Sequence, residues 1–302
     1  MPPSRERRLV FGEVADLYDR VRPSYPRELF EDVLAFACLS PGTSVLESGA
    51  GTGKATLVVA PMLAARGCSL TCVEPDPAMA TLLEQHLAAV EGLRAEVVRA
   101  GLEEYAETAS GAPGGFGLLF AAQSWHWVAP QRRVADAARL LDPGGTLALV
   151  WHVARPHPPE LRADLDAAYR DLGAGPDGEA GSDERPAATS PSEVPPASTQ
   201  PREVGFTPAT RAGYAAEIES SGLFGPLFHR SRHWVGRHET EGWLSVLRTH
   251  SDHRLLPSNV LEELLERIGE IIDRHGGGVE VEYDTVALLA RRRAEGSRME
   301  ST

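Results

Sequence analysis

The sequence predicts an α/β fold: a doubly wound, mostly parallel sheet that takes its ligand at the carboxyl ends of its strands. Three observations predict it. The apolar pair Val45-Leu46 closes a short strand-like run, and Glu47, three alternate glycines (Gly49, Gly51, Gly53) and an Ala- and Leu-rich helical stretch from Lys54 to Ala65 follow it. A strand, a glycine turn and a helix N-terminus form the nucleotide-binding corner of such a sheet. The run from Cys68 to Val73 reads as a second strand, with Glu74 directly at its end. An acid about twenty residues beyond the glycines stands where these folds accept the hydroxyls of a ribose. Strand-like and helix-like patterns then keep alternating as far as Trp151, as a parallel sheet with crossover helices requires.

The spacing at the corner separates its candidate ligands. A phosphate loop needs Gly-x-x-x-x-Gly-Lys-Ser/Thr, but Ser48 replaces the first glycine and Ala55 the hydroxyl residue. A dinucleotide fingerprint needs a glycine where Lys54 stands. It would also set Glu47 against a doubly negative pyrophosphate. S-adenosylmethionine carries an ammonium and a sulfonium and no phosphate, so a carboxylate at the turn favours it. The remaining reading is a turn that binds nothing, with Glu47 solvated.

Together VLESGAGTG and CVEPDPAM resemble the class I S-adenosylmethionine-dependent methyltransferases. The likeness extends to FGEVADLYDRVRPSYP near the N-terminus, AAQSWHWV after the fourth strand and LLDPGGTLALVWH around the fifth, and covers most of the chain outside residues 173–206. The resemblance implies a Rossmann-like sheet of seven strands, in the order three-two-one-four-five-seven-six, with an antiparallel C-terminal edge. It implies one domain over residues 1–302, with an N-terminal helical lid (1–40), a cofactor-binding core (41–152), a flexible loop (173–206) and a C-terminal part (207–294) carrying the last two strands and substrate-side helices. The implied reaction moves a methyl group from S-adenosyl-L-methionine to an O, N or C atom of a small molecule, such as one of secondary metabolism.

The same resemblance assigns the site. Tyr18, Arg22 and Tyr25 fall in the lid; Glu47, Gly49, Gly51 and Gly53 form the turn, and Glu74 with Pro75 faces the ribose. Met79 packs on the adenine, Leu102 and Glu103 contact it, and Ala122, Gln123 and Trp125 border the pocket beyond the fourth strand. His126 is the candidate acid–base group. Several of these residues also admit a plainer role: the tyrosines as core packing, Met79 as core filler, Glu103 as a solvated helix-start acid. His126 can equally be a structural histidine under an aromatic lid. Arg22 or Arg248 would orient a carboxylate acceptor, for which no base is needed.

Outside the motifs, helical spacing marks Val10 to Val21, Tyr25 to Ala37, Asp76 to Val90, Gln131 to Leu141 and Glu160 to Leu172. Further strands are expected at Ala95 to Arg99, Gly117 to Ala121, Thr146 to Trp151, Leu227 to Val235 and Val279 to Leu289. C-terminal helices are expected at Thr207 to Ser221, Thr240 to Thr249 and Ser258 to Arg274. Residues 173–201 are dominated by Gly, Pro, Ala, Ser, Thr and acids and cannot bury enough apolar surface to fold alone. The stretch Trp243 to His253 sets Arg248, Thr249, His250 and Ser251 at a helix end, either reaching an acceptor or simply capping. Three cysteines without zinc spacing read as reduced core thiols, and the net charge of −13 disfavours nucleic-acid or anionic-membrane partners. No apolar run spans a bilayer and MPPSRERR lacks a signal core, so the expectation is a cytoplasmic enzyme of undetermined oligomeric state. Two other classes stay open: an enzyme that uses the cofactor's charge without transferring methyl, and a binding protein without chemistry.

Overall fold

A computed structural model describes residues 12–108, 115–172 and 208–294. The expected flexible loop over 173–206 lies outside the described residues. The N-terminal segment forms α1 (Ala15–Val21) and α2 (Arg27–Ala37), followed by β1 (Ser44–Ser48). Then α3 (Thr56–Ala65), β2 (Ser69–Val73), α4 (Pro77–Leu87), β3 (Arg94–Val98), α5 (Leu102–Thr108) and β4 (Phe116–Ala122) alternate. After α6 (Arg133–Leu140) and β5 (Leu141–Ala154) come α7 (Pro159–Asp171), α8 (Pro208–Ser220) and β6 (Phe228–Glu239). The chain ends in α9 (Thr240–Leu247), α10 (Ser251–Arg254), α11 (Ser258–Arg274) and β7 (Gly278–Arg291). The sheet order is β3-β2-β1-β4-β5-β7-β6, parallel from β3 to β5 with antiparallel C-terminal strands.

Alternation along the strands builds two cores. Side chains point to opposite faces at successive residues, so Val45, Cys72, Leu118, Phe120, Ala148 and Val150 join one cluster with α2 and α3. Their neighbours Leu46, Val73, Leu119, Ala121, Leu147 and Leu149 join another with α6 and α8. With both faces covered, the central strands read as continuous apolar runs rather than alternating ones.

The fifth strand differs from expectation. It begins at Leu141, because the pairing of β4 and β5 jumps from Phe116–Leu141 to Leu118–Thr146. The residues between form a bulge, where the Gly115 amide donates to Asp142 Oδ1 at 2.9 Å. A turn read from Pro143-Gly144-Gly145 is therefore an irregularity inside a longer strand. Cys38, Cys68 and Cys72 are free thiols; Cys68 and Cys72 are buried and Cys38 is exposed at the end of α2.

The described residues gather into two compact units. The first holds residues 12–153, 208–234 and 284–294, the second 154–172 and 235–283. In the second unit α11 is the organising helix, burying Leu261, Leu264, Leu265, Ile268, Ile271 and Ile272 along one stripe. It packs there against α7 and α9.

In the first unit a buried arginine ties α6 to α8. Arg133 lies over the Trp125 and Tyr214 rings, 5.7 and 4.8 Å from their centroids. Its Nε donates to the Glu217 carboxylate at 2.9 and 3.1 Å, and its Nη2 donates there as well. Tyr214 in turn stacks on Trp151 at 5.2 Å. Removing one partner of a buried ion pair leaves the other uncompensated. Glu217→Ala is therefore expected to lower stability by about 2–4 kcal/mol, read by chemical denaturation. A change within experimental error would mean that α8 is held by its apolar face alone.

Candidate functional site

The glycine turn leaves β1 at Ser48 and is hooked onto the end of β2. The Gly49 and Ala50 amides both donate to the Val73 carbonyl, at 2.8 and 3.2 Å. Glu74, the next residue, is buried, and its two carboxylate oxygens divide the work. Oε2 accepts the Gly51 amide at 2.7 Å, and Oε1 accepts the Asp76 amide at 2.9 Å. Asp76 caps α4 by accepting from the Ala78 and Met79 amides. One carboxylate thus fixes the turn and, through Pro75 and Asp76, the start of the next helix.

The alternate glycines do different things. All three have positive φ, a region that disfavours side chains. A Cβ on Gly49 would lie 2.5 Å from Ser124 Cβ, and one on Gly53 would lie 2.8 Å from Leu83. A Cβ on Gly51 would meet only Met79 Sδ, at 3.9 Å. Gly49 and Gly53 therefore serve packing, while the missing side chain of Gly51 leaves room beside the Glu74 carboxylate. That room is a cradle for a ligand. Met79 forms its floor, buried in the first turn of α4.

Glu47 sits beneath this turn and is fully buried rather than solvated. Its Oε2 accepts from Thr56 Oγ1 at 2.6 Å and from Cys72 Sγ at 3.8 Å. Burial pushes its carboxyl up to about 8, with the nearby Glu74 adding to the rise and the two hydrogen bonds opposing it. It is thus held largely protonated at neutral pH.

Beyond β4 the chain turns back sharply. Gln123 adopts φ +56° while its amide donates to the Val150 carbonyl at 2.9 Å. Both polar atoms of its side chain are buried without a hydrogen-bond partner among the described residues. Strain and an unsatisfied amide at one residue beside a strand end make Gln123 a candidate for the site. The Ser124 hydroxyl donates to the Ser48 carbonyl and so locks this turn to the first. Trp125 corrects the sequence expectation. Its ring has no exposed surface and belongs to the same buried core cluster as Leu46, Val73, Leu102 and Trp151, so it lies within the core and does not wall a pocket. His126 and Trp127, next on the same short turn, are only partly buried, with ring centroids 4.7 Å apart. Leu102 is core, and Glu103 is not simply solvated: its Oε1 accepts the Ala129 amide at 2.7 Å, joining α5 to the segment after β4. Ala122 ends β4 beside these groups, partly buried.

The N-terminal segment lies against the same strand ends. Asp19 on α1 pairs with Lys54 at 3.6 Å and His86 at 3.3 Å, tying α1 to the glycine turn and α4. Arg22 lies over the Tyr18 ring at 5.1 Å. Tyr25 stacks at 4.2 Å on His152, near the end of β5.

His152 is the residue that sequence reasoning passed over, although it ends the quoted stretch LLDPGGTLALVWH. Its Nδ1 lies 2.8 Å from Thr285 Oγ1, which also accepts from Trp234 Nε1 at 2.7 Å. Burial, with the Arg22 charge adding to it, pushes its imidazole down to about 3, so it is neutral. A histidine closing a strand at this edge was the available signal; its partners on β6 and β7 are far away in the sequence.

In the second unit, Arg248 is engaged by Glu262 through both Nη atoms, which removes it as a ready anchor for an acceptor carboxylate. Thr249, His250 and Ser251 are buried there.

Glu47 sets a pH dependence of stability. A carboxyl raised from 4.5 to about 8 on folding contributes stability that is complete below the lower value and lost as pH rises through the upper one. Wild type should therefore lose stability relative to Glu47→Gln between about pH 5 and about pH 8, by a few kcal/mol at most. Denaturation of both proteins across that range checks it; a constant difference would mean that Glu47 is ionised throughout.

The comparisons fit this geometry. Residues 46–147 match the family model described as a methyltransferase domain. The chain is 36% identical over 148 residues to an uncharacterized methyltransferase of Mycobacterium tuberculosis, covering 49% of this chain and 54% of that protein. It is 33% identical over 141 residues to the thiol S-methyltransferase TMT1A of Homo sapiens, covering 46% and 54%. The chain thus spans about half the length of the curated relatives it matches. A solved structure from Anaeromyxobacter dehalogenans, assigned as a type II methyltransferase, shares the fold at TM-score 0.53 and 21% identity, over 89% of this chain and 97% of that one. With its glycine turn, its acid after β2 and its sheet order, the region 46–147 that matches the methyltransferase-domain model is similar to the class I S-adenosylmethionine-dependent methyltransferases.

Proposed function

We propose that the protein transfers a methyl group from S-adenosylmethionine to an O, N or C atom of a small-molecule acceptor. The cradle over Gly51 carries this reading. It pairs an open space with a carboxylate, and it lies above a second, buried acid. A carboxylate beside the turn disfavours phosphate and suits a cationic nucleoside. Glu74, at the end of β2, is the acid that would accept the two hydroxyls of a ribose. Glu47, protonated without a ligand, would release its proton toward the charge of an ammonium or sulfonium. Pro75 and Met79 shape the nucleoside side of the cradle, with Leu102 and Glu103 beyond them. Gln123, with Ala122 beside it, offers a buried amide at the crevice.

When bound, the cofactor supplies a sulfonium methyl that is already an electrophile. The chain's task is then to hold the acceptor in line, exclude water and handle one proton. Tyr18, Arg22 and Tyr25 serve as the lid. His126 is the base that accepts a proton from a hydroxyl or amine acceptor at an imidazole nitrogen. His152 suits that role poorly, because a group titrating near 3 has little affinity for a proton at neutral pH; it serves instead as the platform for Tyr25. An acceptor carboxylate would need no base, with Arg22 as its anchor.

Turnover tests the reading. Incubation with S-adenosylmethionine and a panel of alcohols, amines, carboxylates and thiols should release S-adenosylhomocysteine with one of the first three classes; turnover of thiols alone would move the acceptor atom to sulfur. Consumption of the cofactor without that product would favour a non-methylating reaction. His126→Ala is expected to bind the cofactor almost normally while turnover of a hydroxyl or amine acceptor falls roughly 100- to 10,000-fold; near-normal turnover would place the base elsewhere. Two alanine substitutions separate the glycines. Gly51→Ala should cost about 1 kcal/mol of stability yet abolish cofactor binding in calorimetry. Gly49→Ala should cost about 2–4 kcal/mol through its clash with Ser124. If Gly51→Ala binds normally, the cradle is only a turn.

A further inference from the structure

The second unit contains a group of chemistry-bearing side chains that the proposed reaction does not use. Between α9 and α11 the chain reads Thr249-His250-Ser251-Asp252-His253, and all five residues are buried. Asp252 and His253 already pair with each other there, and with His250 they gather one carboxylate and two imidazoles in one buried place, a donor set that a cation can use. One ligand atom each from His250, Asp252 and His253 can be chosen so that all lie within 4.8 Å of one another. Asp252 Oδ1 and His253 Nδ1 are 3.0 Å apart, and the His250 and His253 ring centroids 5.5 Å. Ligands of one tetrahedral ion at ~2.0–2.1 Å stand roughly 3.3 Å apart, so modest side-chain adjustment brings the three to one centre. The other face of His253 is also arranged for this. Its Nε2 lies 2.8 Å from the Tyr169 hydroxyl on α7. A cation at Nδ1 would take the place of the proton that Nδ1 shares with Asp252, and the ring would then carry its proton on Nε2 and donate it to that oxygen. Metal-binding histidines are usually oriented by such an outer hydrogen bond.

We propose that His250, Asp252 and His253 bind one divalent cation of the zinc class, with Tyr169 as the positioning residue for His253. Two imidazoles and one carboxylate suit a borderline cation; calcium and magnesium require more oxygen ligands. The dication would neutralise the buried carboxylate and pin the short helix α10 between α9 and α11. Methyl transfer as proposed above does not depend on it, so either reading can fail without the other.

The full-length chain, stripped with a chelator and dialysed, would be titrated with zinc chloride by calorimetry and with cobalt(II) followed by visible absorption. One tightly bound equivalent is expected, with the intense ligand-field bands of a four-coordinate cobalt site. His250→Ala and Asp252→Asn should lose that equivalent, whereas His229→Ala, at an exposed histidine, should keep it. Should the first two variants fold poorly, Tyr169→Phe serves, since it keeps the ring and removes only the hydroxyl. It should weaken zinc about 10- to 100-fold. Absence of a bound equivalent in the wild type would overturn the proposal. So would retention of it by folded His250→Ala or Asp252→Asn, or unchanged affinity in Tyr169→Phe; the cluster would then be a hydrogen-bonded strut of Asp252, His253 and Tyr169.

Discussion

Glu74 holds the first unit's ligand-binding edge together. Its carboxylate takes the amide of Gly51 on one oxygen and that of Asp76 on the other. In doing so it spans the end of β2, the glycine turn after β1 and the cap of α4. Without an acceptor at that point, the Gly51 amide would be left without this bond inside a tight turn, and backbone groups of that kind are costly to leave unpaired. A carboxylate serves better than a neutral side chain because charge-assisted hydrogen bonds are shorter and stronger. The turn that must approach a ligand closely is thus held from behind by the residue proposed to grip that ligand from the side.

Two acids in one small volume set the electrostatics. Glu47 lies below the turn and Glu74 beside it; burial, with the nearby Glu74 adding to it, raises the Glu47 carboxyl to about 8. In the ligand-free protein the proton on Glu47 relieves the repulsion between the two. A cationic ligand would do the same, whereas a phosphate would aggravate it.

Much of this was legible in the sequence. The strands β1, β2 and β4 are short, largely apolar runs, because a sheet covered on both faces leaves no polar side to read. The glycines and Glu74 were readable because all act on neighbours close in sequence. The long form of β5 was not, since a bulge depends on the partner strand. Nor was the inward turn of Trp125, whose ring is met by the Arg133 guanidinium only in the folded chain. His152 went unnoticed for the same reason: Thr285 and Trp234, which give it its setting, come from the last two strands. Arg248 looked available to a substrate until folding set Glu262 beside it. Local backbone signals survive reading one residue at a time, but pairings across long sequence distances do not.

The central claim is that the glycine turn and its two acids select a cationic nucleoside over a phosphorylated one. Calorimetric titration of the unmodified protein with S-adenosylmethionine, S-adenosylhomocysteine, NAD and ATP tests this most directly. The account requires saturable one-to-one binding of the first two and no binding of NAD or ATP. Binding of NAD or ATP as tight as that of S-adenosylmethionine would contradict it.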